Sequence, residues 1–84
     1  MMIYLIFTQE GFAEAKSDIL EDKADLWINN NLLSPEQLAE LNTHNIGISF
    51  LPEPVNPNDE KAIIAALDYV ETQSPKEEIL VEYP

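Results

Sequence analysis

A run of six apolar residues, Met2 to Phe7, constrains the fold of this chain more than any other segment. The run is rich in Ile, Tyr and Phe and gives way at once to polar Thr8. A short, uninterrupted apolar run of this kind is typical of a β-strand that is buried on both faces. Such a strand needs helices on both sides of its sheet, so the run predicts an α/β fold with this strand at the centre.

The rest of the chain alternates between helical and strand periodicity. A first helix is predicted where Phe12, Ala15 and Ile19 recur at helical spacing. Polar alternation over Ala24 to Asn29 is typical of a strand near the edge of a sheet. Further strands are predicted at Ile46 to Leu51 and at Ile79 to Val81, the last flanked by Glu78 and Glu82.

The second and third helices have recognisable starts. Ser34, Pro35 and Gln37 supply an N-cap, a first-turn proline and a capping-box partner, with Leu33 and Leu38 at the staple positions. The helix should end near Thr43 to Asn45, because Asn tolerates the left-handed conformation. The third helix is predicted to begin around Asn56 to Asp59 and to end before Pro75, with an apolar stripe of Ile63, Ile64, Leu67 and Val70.

This βαβαβαβ order predicts a single α/β domain, residues 1–84, with three layers and a four-stranded, mostly parallel sheet. With the strands numbered along the chain, we expect the order 2-1-3-4, with the first helix on one face and the other two opposite. The alternative is an α+β ferredoxin-like sheet in which the helix at Ser34 is an insertion.

The charge balance limits the partners. The chain has 16 acidic residues against 4 lysines and no arginine, a formal net charge of -12. Such a chain repels phosphate backbones and anionic membrane surfaces, so we expect neither direct nucleic-acid binding nor membrane binding. The acidity suits solubility, attraction of cations or docking on a basic protein, and a solvated surface is the favoured interpretation.

Several classes of site are excluded or disfavoured by composition. There is no cysteine, so this chain alone cannot form disulfides, thiolate metal sites or cysteine nucleophiles. The apolar N-terminal run lacks a basic lead-in and is too short for a signal peptide or a membrane span, so a cytoplasmic protein is the expectation. Gly11 stands alone after the first strand, so no nucleotide-binding loop is present, and we expect no cofactor.

Two solitary residues and one acidic series have simple structural interpretations. His44, the only histidine, falls at a predicted helix end, where a cap or surface role is favoured over catalysis. Trp27 is expected to pack beneath a helix, with a partner-binding anchor as the alternative. One acidic series recurs every four residues in the first helix and consists of Glu10, Glu14, Asp18 and Asp22. Helical spacing spreads these carboxylates along the helix, so a solvated face is favoured over a metal site.

A ligand site, if present, is predicted by position. In an open parallel sheet, ligands bind beyond the carboxyl ends of the strands. The amides of three consecutive asparagines can serve turns as well as a ligand, and turn chemistry is the favoured role. The polar residues expected at this edge are Thr8, Gln9 and Glu10, then Asn29, Asn30 and Asn31, and then Glu53.

Two functional hypotheses follow. The preferred one is a small non-catalytic adaptor or inhibitor that docks on a basic protein partner. The alternative is a small-molecule-binding protein or enzyme that uses the polar loops, with a carboxylate as base. We expect a monomer, and dimerisation through the last strand is the main exception.

Overall fold

The computed structural model describes residues 2–82 as four strands and three helices in strict alternation. The elements are β1 (Met2–Ile6), α1 (Gln9–Asp22), β2 (Asp25–Ile28), α2 (Pro35–Thr43), β3 (Ile48–Phe50), α3 (Glu60–Gln73) and β4 (Glu78–Val81).

All three strand pairs in the sheet are parallel, and the strand order is β3-β2-β1-β4. The predicted α/β class, the parallel pairing and the interior position of β1 are confirmed. The predicted order 2-1-3-4 was wrong, because β3 lies beside β2 and β4 lies beside β1. No antiparallel pair supports the ferredoxin-like alternative within residues 2–82.

The helices cover the two faces unequally. Residues of α1 and α2, among them Phe12, Ile19 and Leu41, pack with Tyr4 and Ile6 on one face. On the other face, α3 is the one helix among residues 2–82 that packs against β1, through Ile63, Ala66 and Val70. The prediction that α1 lies alone on its face was wrong, because α2 shares that face. The observed arrangement follows from the strand order. From β1 through β2 to β3 the chain moves in one direction across the sheet, so right-handed connections place α1 and α2 on the same face. From β3 to β4 the chain crosses back in the opposite direction, so a right-handed connection places α3 on the other face.

Unequal coverage also explains the misleading pattern in β2. Leu26 and Ile28 are fully buried under α1 and α2, whereas Trp27 is only partly buried on the face that α3 covers alone. Trp27 packs edge-on against Tyr69 of α3, with ring centroids 5.7 Å apart and planes at 81°. The alternation of apolar and polar residues in β2 therefore reflects the unequal helix coverage of the two faces. It does not indicate an edge strand, because β2 lies between β1 and β3.

Local capping confirms most of the predicted helix boundaries. Ser34 and Gln37 form the predicted capping box at the start of α2, and Asn45, just beyond its end, has a left-handed φ of 62°. Asp59 caps α3 by accepting a hydrogen bond from the Ala62 backbone N–H at 3.2 Å. One stripe position of α3 was predicted wrongly, because Ile64 is 57% exposed.

Candidate functional site

The carboxyl ends of the four strands meet at one side of the sheet, which we call the loop edge. It consists of residues 7–11 after β1, 29–32 after β2, 51–55 after β3, and Glu82 after β4. Parallel pairing brings the predicted positions Thr8, Asn29 and Glu53 to this edge. It also adds Glu82, which was predicted only to flank the last strand.

Strand order reverses between β1 and β4, and ligands in open α/β sheets bind in the crevice at such a point. In this protein the crevice holds the Glu82 carboxylate. Its Oε1 accepts hydrogen bonds from the backbone N–H groups of Phe7, at 2.7 Å, and Thr8, at 3.0 Å. The position that suits an external anion beside the start of α1 is therefore filled by a carboxylate of the chain itself.

Thr8 connects this carboxylate to the first turn of α1. Its hydroxyl donates to Glu82 Oε2 and accepts from the Gly11 N–H at 2.9 Å, which makes it the N-cap of the helix. A Cβ at residue 11 would collide with the Glu82 carboxylate, so a side chain there would displace that carboxylate from its hydrogen bonds to Phe7 and Thr8. Both hydrogen-bonding functions of the Thr8 hydroxyl are used inside the protein.

Gln9 joins the loop after β1 to the loop after β2. Its side-chain amide donates to the Leu32 carbonyl oxygen and also pairs with the amide of Gln37, at 3.2 and 3.3 Å. Gln37 in turn accepts from the Ser34 N–H at 2.8 Å as part of the capping box. The Gln9 side chain thus ties the start of α1 to the start of α2.

Asn29 joins the loop after β2 to the loop after β3. Its Nδ2 donates to the Val55 carbonyl oxygen at 2.9 Å, and its Oδ1 accepts from the Val55 N–H at 2.8 Å. The amide therefore satisfies both backbone groups of one residue, as a neighbouring strand would. This pair of hydrogen bonds holds the loop that leads into α3.

The other two asparagines form the turn. The Leu32 N–H donates to the Asn29 carbonyl oxygen at 3.3 Å, and Asn31 adopts a left-handed φ of 66°. Asn and Gly tolerate that conformation better than other residues do. The side chains of Asn30 and Asn31 are exposed, as are those of Glu10 and Glu53.

The predicted site residues therefore fall into two groups. Thr8, Gln9 and Asn29 are brought into hydrogen-bonded networks that hold the loops together. Glu10, Asn30, Asn31 and Glu53 lie on the same edge but face solvent. Glu82 was missed because only the pairing of β4 with β1 brings it to Thr8. Gly11 in the first turn of α1 was the one signal in the sequence that something approaches this helix closely.

Within residues 2–82, two titratable groups have pKa values that are shifted by their surroundings. Burial, followed by the charges of Asp22 and Asp18, raises the pKa of Tyr4 above its ordinary value, and the Tyr4 hydroxyl donates to Asp22 Oδ2 at 3.3 Å. The hydrogen bond from Lys16 lowers the pKa of Glu40 on α2. Neither group belongs to the loop edge.

Other candidate chemistry is sparse in the part of the chain that the structure describes. No three His, Cys, Asp or Glu side chains within residues 2–82 are grouped so that they could hold a metal ion. His44 is exposed at the C-cap of α2. Across the same residues, no helix combines the length and the apolar character needed to span a membrane.

Comparison of the chain with protein-family models, with curated proteins and with solved structures finds no match.

Proposed function

We propose that this chain is a non-catalytic protein-binding adaptor or inhibitor that docks on a basic partner protein. The observation that supports it is the unbalanced surface charge, 16 carboxylates against 4 lysines. Within residues 2–82 a single ion pair, between Lys16 and Glu40, neutralises a carboxylate directly. The remaining field is therefore negative over most of the molecule, which accelerates and orients encounters with positively charged surfaces.

The internal use of the loop-edge side chains favours docking over the small-molecule alternative. A ligand site needs convergent polar groups that are free to bind. Here the hydrogen-bonding capacity of Thr8, Gln9 and Asn29 is spent on the first turns and loops of the fold. A cytoplasmic location is part of the proposal.

The test is salt-sensitive capture. The immobilised protein is incubated with native lysate at low salt and then washed at rising salt, because surface attraction is screened beyond about 8 Å at roughly 0.15 M salt. We expect basic proteins to be recovered and released together as the salt rises. Recovery of no partner at low salt, or of partners that are insensitive to salt, would count against the proposal.

A thermal-shift screen with metabolites and divalent ions tests the alternative. A ligand present at about 100 times its Kd adds about 2.7 kcal/mol to the free energy of unfolding. We expect no specific stabiliser. A metabolite that stabilises the protein, and does so less well after Asn30→Asp, would favour the small-molecule hypothesis.

A further inference from the structure

We infer that the outer side of β4, the β4 edge, receives an extended basic segment of the partner as a fifth strand of the sheet. The inference rests on the proposed function and assigns it a surface. Strand addition of this kind draws its affinity from main-chain hydrogen bonds and its specificity from the alternating side chains.

The backbone of β4 presents unpaired groups outward. The Glu82 N–H donates to the Leu5 carbonyl oxygen at 2.9 Å, so the backbone groups of Glu82 point towards β1. Successive residues of a strand direct their backbone N–H and C=O groups to opposite sides. Those of Ile79 and Val81 therefore point away from β1. Within residues 2–82 no strand pairs with that side.

Two open grooves of about 350 and 410 Å³ lie on either side of this strand. The first lies between β4 and α1 and is lined by Tyr4, Ala15 and Leu80 among others. The second lies between β4 and α3 and is lined by Leu67, Ile79 and Val81 among others. Leu80 is 38% exposed. An added strand would place alternate side chains over the two grooves.

The groove on the α1 side is acidic. Glu14 and Glu82 line it, and the hydroxyl of Tyr4, another lining residue, donates to Asp22 Oδ2 at 3.3 Å. No lysine lines either groove among the described residues. Lys or Arg side chains on this face would lay their aliphatic stems on Leu80 and reach the carboxylates with their charged ends.

The groove on the α3 side favours apolar side chains at every second position of the bound segment, because Leu67, Ile79 and Val81 line it. An acidic residue of this groove also lacks a hydrogen-bond donor. Glu77, which also lines this groove, has a carboxylate oxygen that is shielded from solvent and accepts no hydrogen bond within residues 2–82. Burying such an atom without a donor costs free energy, which a cationic donor at the end of the bound segment would recover. The matching segment therefore alternates basic and apolar residues.

A second copy of this chain is a poorer occupant of the β4 edge. Each copy carries a net charge of -12, and pairing two β4 edges would bring Glu78 and Glu82 of each towards those of the other. Charged residues on an edge strand discourage pairing between identical chains. The exposed carboxylates of Glu14 and Glu78 attract a basic strand, so the charge at this edge selects the partner as well as discourages self-association.

The test uses a labelled peptide of alternating Lys and Val, about eight residues long, the length of an ordinary strand. Two control peptides keep its charge. In one, glycine replaces each valine, and in the other the amides along one edge of the strand are N-methylated so that they cannot pair. We expect the Lys-Val peptide to bind at least about tenfold more tightly than either control and to slow hydrogen exchange at the Ile79 and Val81 amides.

Two double variants with the same change in net charge locate the site. Glu14→Lys with Glu78→Lys alters the β4 edge. Glu36→Lys with Glu53→Lys alters exposed positions in α2 and in the loop after β3, which line neither of the two grooves. We expect the first pair to weaken peptide binding about tenfold or more and the second pair to weaken it much less.

Several outcomes would overturn the inference. If all three peptides bind alike and both double variants weaken them equally, the attraction is diffuse, and the proposed function stands without this surface. Failure of the Lys-Val peptide to bind at low salt rejects the strand addition, while the lysate capture still tests the function. A stable dimer with protected Ile79 and Val81 amides in the absence of peptide would make a second copy the occupant.

Discussion

The loop edge and the β4 edge differ in a way that their composition does not reveal. The loop edge is the more polar by sequence, yet the side chains of Thr8, Gln9 and Asn29 there are bound to other parts of the chain. The β4 edge is largely apolar by sequence, yet it presents outward backbone groups and two open grooves. Availability for binding therefore depends on which groups the fold has already used.

The largest effect should come from Glu82→Ala at the loop edge. The change leaves the Phe7 and Thr8 N–H groups without their acceptor beside the first turn of α1. We expect a loss of about 2 to 4 kcal/mol in the free energy of unfolding, measured with urea. Glu53→Ala is the matched control, because this exposed carboxylate lies on the same edge and should change stability by less than about 0.5 kcal/mol. Equal losses would show that the Glu82 hydrogen bonds contribute nothing particular.

A smaller effect is expected for Asn29→Asp. The variant keeps an acceptor for the Val55 N–H but loses the donor to the Val55 carbonyl oxygen and sets a carboxylate oxygen against it. We expect a loss of about 2 kcal/mol by urea unfolding. Asn30→Asp, at the exposed neighbouring position, should stay within about 0.5 kcal/mol and leave partner binding unchanged. If the two substitutions cost the same, the distinction drawn between these asparagines fails.

The smallest effect concerns Tyr4, which lines the groove on the α1 side of the β4 edge. Its pKa is raised above the ordinary value of 10.0 in the folded protein. The contribution of the neutral Tyr4 phenol to the free energy of unfolding is therefore fully present below about pH 10, and it is lost as the pH rises through the raised pKa. Tyr4→Phe should cost about 1 kcal/mol or less near pH 8 and should make stability fall less steeply above about pH 10. Parallel pH profiles of the two proteins, from urea unfolding, would contradict this.

What could be predicted from the sequence was mostly local. The capping box at Ser34, the left-handed Asn45 and the buried strand that begins at Met2 each follow from residues close together in the chain. The carboxyl-edge position of Asn29 also followed, because parallel pairing alone places it there.

Strand order and hydrogen-bond partners were harder, because they depend on contacts across the chain. The exposure of Trp27 reflects the single helix on that face, which no pattern within residues 24–29 records. The pairing of Asn29 with Val55, and of Thr8 with Glu82, depends on which loops become neighbours. An amide that holds a loop and an amide that binds a ligand look the same in sequence.

The position of β1 between β2 and β4 has a consequence for how the chain folds. Ile3 pairs with Asp25, so one flank of β1 is covered by a nearby segment, whereas Met2 pairs with Glu78, far along the chain. Pairing between distant segments slows folding, and a partly folded chain with an open strand is prone to aggregate. Any interruption of synthesis or cleavage that removes β4 would leave the most apolar strand of the protein with an open flank. Quality-control proteases and chaperones should therefore recognise such a shortened chain far more readily than the intact one.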